Sequence, residues 1–301
     1  ERFPDAPALK PTELAELRTL AQIVSYLSQL GGPAANDVSA PPAAVTIPAP
    51  VAYVSTYGVR LKRLPSPDRL ELPPNGGRCL VVADGTPLTA AICSSLAQAG
   101  WSIVVVVLPS AIVAAPSGLP ESFERLDLEQ LGDEYLGTRL RSLGSPETQG
   151  IVYLHPRSAA SEEMFAEGER QAVKGLFFLA KHLQAPLAEA SRSQQGRPFF
   201  IAVTRLDGSF GVGLDGDEQP GHSAIAGGVF GLVKTLRLEW PDVHCRAIDI
   251  SPTCSPDIAA AHIVSEILDP DGFVAEVGFG SQGRVTLVPL EPLGGADMLG
   301  R

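Results

Sequence analysis

Positive charge is what this sequence has least of: 23 Lys and Arg stand against 34 Asp and Glu, a formal net charge of −11 over 301 residues. Such a field repels phosphate backbones and anionic lipid head groups, so neither nucleic acid nor a membrane surface is expected as a partner. Long apolar runs are missing too. The longest strongly hydrophobic stretch, 101–108 (WSIVVVVL), falls well short of the ~18 residues that cross a bilayer. The four cysteines, Cys79, Cys93, Cys245 and Cys254, lie far apart. They lack the Cys-x-x-Cys spacing of a zinc site or redox motif and read as reduced structural thiols of a cytoplasmic protein. His155, His182, His222, His244 and His262 form no pair at metal-ligand spacing on one helix face. Each reads as a packed or surface residue, and no metal ligand is assigned. The chain opens Glu1-Arg2-Phe3-Pro4-Asp5, with neither an initiator Met nor a basic-then-apolar leader, and the expectation is a piece of a longer chain.

What is present is ordinary globular material: 45% hydrophobic and 19% charged residues, enough for one large domain or two ordinary ones. Over residues 11–31 the apolar positions Leu14, Leu17, Leu20, Ile23, Val24, Leu27 and Leu30 recur every three or four residues. That is one face of an amphipathic helix, capped by Thr12 and stopped by Gly31-Gly32-Pro33. An Ala- and Pro-rich stretch follows and reads as a semi-rigid linker. The division predicted is a helix in 1–32, a linker over 33–50, an α/β domain over 51–290 and a loose Gly-rich tail over 291–301.

Within 51–290 the pattern alternates strands with helices, which predicts a mostly parallel sheet covered on both faces. Strands are expected at 53–64, 78–83, 101–108, 151–155, 199–204, 243–250, 273–279 and 284–288. Helices are expected at 87–99, 161–191, 222–239 and 256–268. Gly227, Gly228 and Gly231 are expected to let the third of these helices approach the sheet closely. No internal repeat is present.

A doubly wound sheet places a nucleotide at the carboxyl ends of its strands, with phosphates on the N-terminus of the first helix. Here that place is 84–89 (DGTPLT). It offers one glycine, Gly85, where short-chain reductases use several; Pro87 removes an amide donor, and Asp84 puts a negative charge where phosphate would sit. The segment is expected not to hold a dinucleotide, the other reading being a Rossmann variant with an unusual loop. A short-chain reductase also needs a Ser near the end of its fifth strand, then a Tyr with a Lys or Asn four residues later. In this chain Thr204-Arg205-Leu206-Asp207 ends the strand, Ile225 stands at the Tyr position and Val229 at its partner's. Neither Ile225 nor Val229 can donate a proton, and Lys234 reads as a surface residue. The acidic run 207–218 does not match EF-hand spacing and reads as a solvated loop.

The segments 175–181 (GLFFLAK), 200–208 (FIAVTRLDG), 228–241 (GVFGLVKTLRLEWP) and 243–251 (VHCRAIDIS) resemble the non-catalytic, structural half of the ketoreductase domain of polyketide synthases, especially those of polyunsaturated-fatty-acid-synthase type. The resemblance covers about 51–289. It implies a truncated Rossmann-like fold of short-chain dehydrogenase/reductase type that stabilises and positions a catalytic half. It also implies that no residue of this chain is catalytic or cofactor-binding, that NADPH sits in the catalytic subdomain expected after Arg301, and that acyl carrier domains are partners. Residues 13–27 (ELAELRTLAQIVSYL) resemble the last helix of an acyl carrier protein, without the phosphopantetheine Ser. That helix folding back on its own chain and its pairing across a homodimer both stay open. Two other readings remain beside the structural one: a self-sufficient NADP-dependent reductase with a divergent loop, and a docking module. An exposed edge for the missing half is expected at 53–64 or 284–288.

Overall fold

The computed structural model describes residues 57–70, 77–114, 118–144, 148–156, 167–192, 196–212 and 225–290. All of them belong to one compact unit spanning 55–301. The helix expected within 1–32, the linker over 33–50 and the tail over 291–301 lie outside the described residues.

The strands are β1 (Val59–Arg63), β2 (Arg78–Val82), β3 (Ser102–Val107), β4 (Glu124–Asp127), β5 (Thr148–Leu154), β6 (Phe199–Thr204), β7 (His244–Ile250), β8 (Glu276–Gly280) and β9 (Gly283–Pro289). The helices are α1 (Pro87–Gln98), α2 (Asp133–Arg141), α3 (Glu167–Arg192), α4 (Ala226–Glu239) and α5 (Pro256–Leu268). The nine strands form one sheet in the order β1-β9-β8-β7-β6-β5-β2-β3-β4. From β4 to β8 every pairing is parallel. Beyond β8 the chain turns back, so β9 and β1 are added antiparallel. The expected α/β class, a mostly parallel sheet between two helical layers, is the architecture that forms.

Central strands are apolar on both faces because both faces are covered. Alternate residues go to opposite layers. Leu80, Val104, Ile151, Phe200 and Ala247 pack with α2, α3 and α4, through residues such as Leu136, Leu176 and Val233. Val81, Val105, Val152, Ile201 and Ile248 pack with α1 and α5, through Leu88, Ile92 and Ile263.

Two elements stand where the sequence pattern gives none. The edge strand β4 buries only Leu126 of its four residues. In α2 only Leu136 and Gly137 are buried, too little to leave a periodic stripe. One closing strand starts later than expected: β8 begins at Glu276, and Phe273 is 91% exposed. The three glycines of α4 behave contrary to expectation. Gly227, Gly228 and Gly231 face outward, and a Cβ at Gly227 or Gly231 would meet nothing within 4 Å. Val229, Val233 and Leu236 make the contact with the sheet instead.

Where α5 returns to β8, four ionic side chains are withdrawn from water together. Arg246 Nη1 reaches Glu266 at 2.5 Å and Asp269 at 2.9 Å, and Arg284 contacts the same two carboxylates at 2.7 and 2.6 Å. Arg246 also donates to the carbonyls of Val274 and Asp271, while Arg197 caps those of Ile267 and Asp269. Two cations facing two anions leave no net charge inside, the condition under which such burial is tolerated.

Candidate functional site

The carboxyl end of β2 meets the N-terminus of α1 where a doubly wound fold would seat phosphate. Asp84, only 5% exposed, fills that corner. Its carboxylate accepts from the Thr86 amide at 3.0 Å, the Thr86 hydroxyl at 2.8 Å and the Thr89 hydroxyl at 2.9 Å. Thr86 in turn caps α1 by accepting from the Leu88 amide. Gly85 takes φ +77°, and a Cβ there would lie 2.7 Å from the Ala114 carbonyl oxygen. The corner is thus occupied by the chain's own carboxylate and closed above by the segment after β3. Of the amides at this corner, that of Thr86 is spent on Asp84, that of Leu88 on the Thr86 hydroxyl, and Pro87 has none to offer.

The positions compared with reductase chemistry are equally committed. Thr204 is fully buried and gives its hydroxyl to Asp249 at 2.9 Å. Ile225 is the half-buried N-cap residue of α4, and Val229 is a core residue with no exposure. Lys234 is ion-paired with Glu276 at 3.0 Å, which ties α4 to β8.

Asp249, at the end of β7, belongs to no motif that sequence reasoning singles out; its only signal there is a lone carboxylate in the apolar run VHCRAIDI. It is fully buried and organises the loop after β6, accepting from Leu206 N at 2.8 Å and Phe210 N at 2.9 Å besides Thr204. Burial raises its carboxyl above the ordinary range, and these donors pull the other way. Asp207 completes the loop by accepting from Ser209 N and Gly211 N. The loop lies against β8 where Gly208, at φ +75°, would put a Cβ 2.1 Å from the Phe279 carbonyl. Residues 213–218 of the acidic run lie outside the described residues.

The histidines separate by environment. The Tyr153 hydroxyl lies within hydrogen-bond reach of both the Ala172 carbonyl at 3.2 Å and His155 Nδ1 at 3.3 Å. Burial lowers His155 to about 4. His244 donates Nε2–H to the Glu266 carbonyl and is lowered to about 3, by burial first and then by Arg197 and Arg246. His182 contacts Asp133 at 2.8 Å. His262 stacks on Phe279 with centroids 4.0 Å apart. His222 lies outside the described residues. Among the described residues no group of His, Cys, Asp and Glu converges as a metal site. All four cysteines are free, and burial pushes Cys93 and Cys245 up to about 12.

An open cleft lies away from the β2 corner. With a volume of about 680 Å³, it sits at the carboxyl ends of β7 and β8, between α5, the β8–β9 turn and the strap at Ser66 and Pro67.

No family model matches the chain. One component of the polyunsaturated fatty acid synthase of Thraustochytrium sp. is 41% identical over 119 residues, which is 38% of this chain and 4% of that protein. The chain therefore spans a small fraction of that relative's length. Among solved structures, the 3-ketoacyl-(acyl-carrier-protein) reductase of Brucella melitensis, complexed with NADH, superposes with a TM-score of 0.51 at 14% identity, covering 67% of this chain and 95% of that one. Pseudomonas aeruginosa RhlG with NADP gives 0.50 at 13% identity, covering 68% and 95%. At these identities the likeness is one of fold: the sheet is Rossmann-like. No helix among the described residues is long and apolar enough to cross a membrane.

Proposed function

We propose that this chain is the non-catalytic structural half of the NADPH-dependent β-ketoacyl reductase of a polyunsaturated fatty acid or polyketide synthase, stabilising and positioning a catalytic half that follows it. In this reading residues 51–290 are the structural subdomain, 33–50 a linker and 1–32 a carrier-like or interdomain helix. The partner reaction reduces a β-ketoacyl group on a carrier protein to a β-hydroxyacyl group, with the cofactor held by the other half. The observation that carries the reading is the Asp84 corner: the phosphate position holds a buried carboxylate whose hydrogen bonds close it. The 41% identity to a component of such a synthase favours the same setting.

A structural half needs a face for its partner, and the sheet edges are poor candidates. β9 is paired on both sides, and of the two edge strands β1 carries Arg60, Lys62 and Arg63 and β4 carries Glu124, Arg125 and Asp127, charges that resist strand addition. The adjoining helices α3 and α4 suit the role better. Phe177 of α3 is 52% exposed, and Gly227 and Gly231 of α4 are exposed with open space above them. Gly231→Ala should stabilise the isolated chain by about 1 kcal/mol, since alanine is the better helix former, yet weaken association with the catalytic half. An unchanged association would remove the α3–α4 face from the proposal.

Calorimetric titration of NADPH into this chain, alone and with a catalytic ketoreductase half added in trans, tests the whole reading. The expected result is no binding alone, with binding and turnover only in the mixture. Micromolar binding by this chain alone would replace the reading with that of a divergent, self-sufficient reductase.

A further inference from the structure

The cleft at the β7 and β8 ends has no part in that proposal, and its walls are chemically distinctive. Five hydroxyls line it, from Ser66, Ser251, Thr253, Ser265 and Ser281. Ser265 is spent on the His262 carbonyl, and Ser251 and Thr253 bond each other at 2.8 Å. The hydroxyls of Ser66 and Ser281 and both ring nitrogens of His262 have no hydrogen-bond partner among the described residues. One wall is flat, because the His262 ring lies over Phe279 with an interplanar angle of 14°.

The charged groups at the rim are already engaged. Arg284 gives its N–H groups to Glu266, Asp269 and the Pro65 carbonyl. Asp207 is negative and turned to the amides of its own loop. An anion would therefore meet a guanidinium whose charge is already balanced by Glu266 and Asp269, a nearby carboxylate and the field of a chain at −11. A purely apolar ligand would strip water from the unpartnered donors without replacing it. A volume of about 680 Å³ falls within the range of small-molecule sites. It also lies outside the carboxyl ends of parallel strands, where ligands of open α/β sheets bind.

We propose that this cleft binds a neutral, hydroxyl-rich small molecule of sugar or polyol type, its hydroxyls held by Ser66, Ser281 and His262 and its flatter face laid along the His262–Phe279 wall.

The test is saturation-transfer NMR on the full chain, with methyl β-D-glucoside as the neutral probe and D-glucose 6-phosphate as its anionic counterpart. Binding of the glucoside in the millimolar range is expected, with the phosphate at least about tenfold weaker. Ser281→Trp and, separately, Ser66→Trp place bulk at exposed positions of the rim and should abolish binding. Loss of one hydrogen-bond partner in His262→Ala should weaken it about fivefold. Thermal unfolding of each variant confirms that it is folded, and the two tryptophan variants serve as checks on each other. No saturation transfer at about 50 mM glucoside, equal binding of the phosphate, or binding indifferent to all three substitutions would overturn the proposal.

Discussion

Asp84 after β2 and Asp249 at the end of β7 are both buried carboxylates that accept from threonine hydroxyls and backbone amides. They differ in the distance along the chain that each one bridges. Asp84 finds its partners two and five residues away, in Thr86 and Thr89. Asp249 reaches back 45 residues to Thr204 and 39 to Phe210. The first is a local bridge that fixes one corner. The second joins a strand to the loop after its neighbour and so depends on the finished sheet. The ionic group around Arg246 belongs with the second kind, since its ion-paired partners are 15 to 23 residues apart and come from β7, α5, the turn after α5, and β9.

If remote anchors carry more of the fold than local ones, Arg246→Met should be the most damaging change. It leaves Glu266 and Asp269 facing Arg284 alone, and a loss of about 4 kcal/mol in chemical denaturation is expected. Asp249→Ala should follow at about 3 kcal/mol, because the Leu206 and Phe210 amides and the Thr204 hydroxyl lose their acceptor together. Amide exchange should then speed up selectively over 205–211, and a uniform increase would refute the assignment of that loop to Asp249.

Acid sensitivity offers the next comparison. His155 and His244 are depressed in the folded state, so the unfolded chain binds protons that the native one refuses. Each therefore removes stability as pH falls below about 6.5, at about 1.4 kcal/mol per pH unit, until its folded value is reached. His155→Leu should flatten the slope of stability against pH between 6.5 and its folded value of about 4. A variant as acid-sensitive as the parent would exclude that histidine as the source. Asp84→Ala should be the mildest, about 1 kcal/mol, because two of its three donors are hydroxyls that can turn to other acceptors. A loss as large as that of Asp249→Ala would dissolve the distinction between local and remote anchors.

The same distinction explains what can be read from the sequence. β2, β3, β6 and α5 are legible because buried β-branched runs and an apolar helix opened by a proline are local signals. The Asp84 corner is legible too, since the acid, the lone glycine and the proline sit together in six residues. The outward turn of the α4 glycines is not, because periodicity gives a face and not its neighbour, and the larger Val229 and Val233 already supply the contact. Nor can Arg246 be recognised as fully buried from a strand that reads VHCRAIDI. Its partners arrive from elements whose proximity only the folded sheet creates. The cleft shares that origin, for Ser66, His262 and Ser281 lie far apart in sequence.

The antiparallel pair at the sheet edge has a topological consequence. Val59 is opposite Pro289, so the chain enters and leaves this fold through neighbouring strands, and the 229 intervening positions (289 − 59 − 1) form one closed loop. A unit built this way behaves as a cassette. It can be spliced into a longer polypeptide at a single point while demanding little of the segments on either side, and tension applied across its two ends would peel β1 from β9 as a zipper before reaching the parallel core.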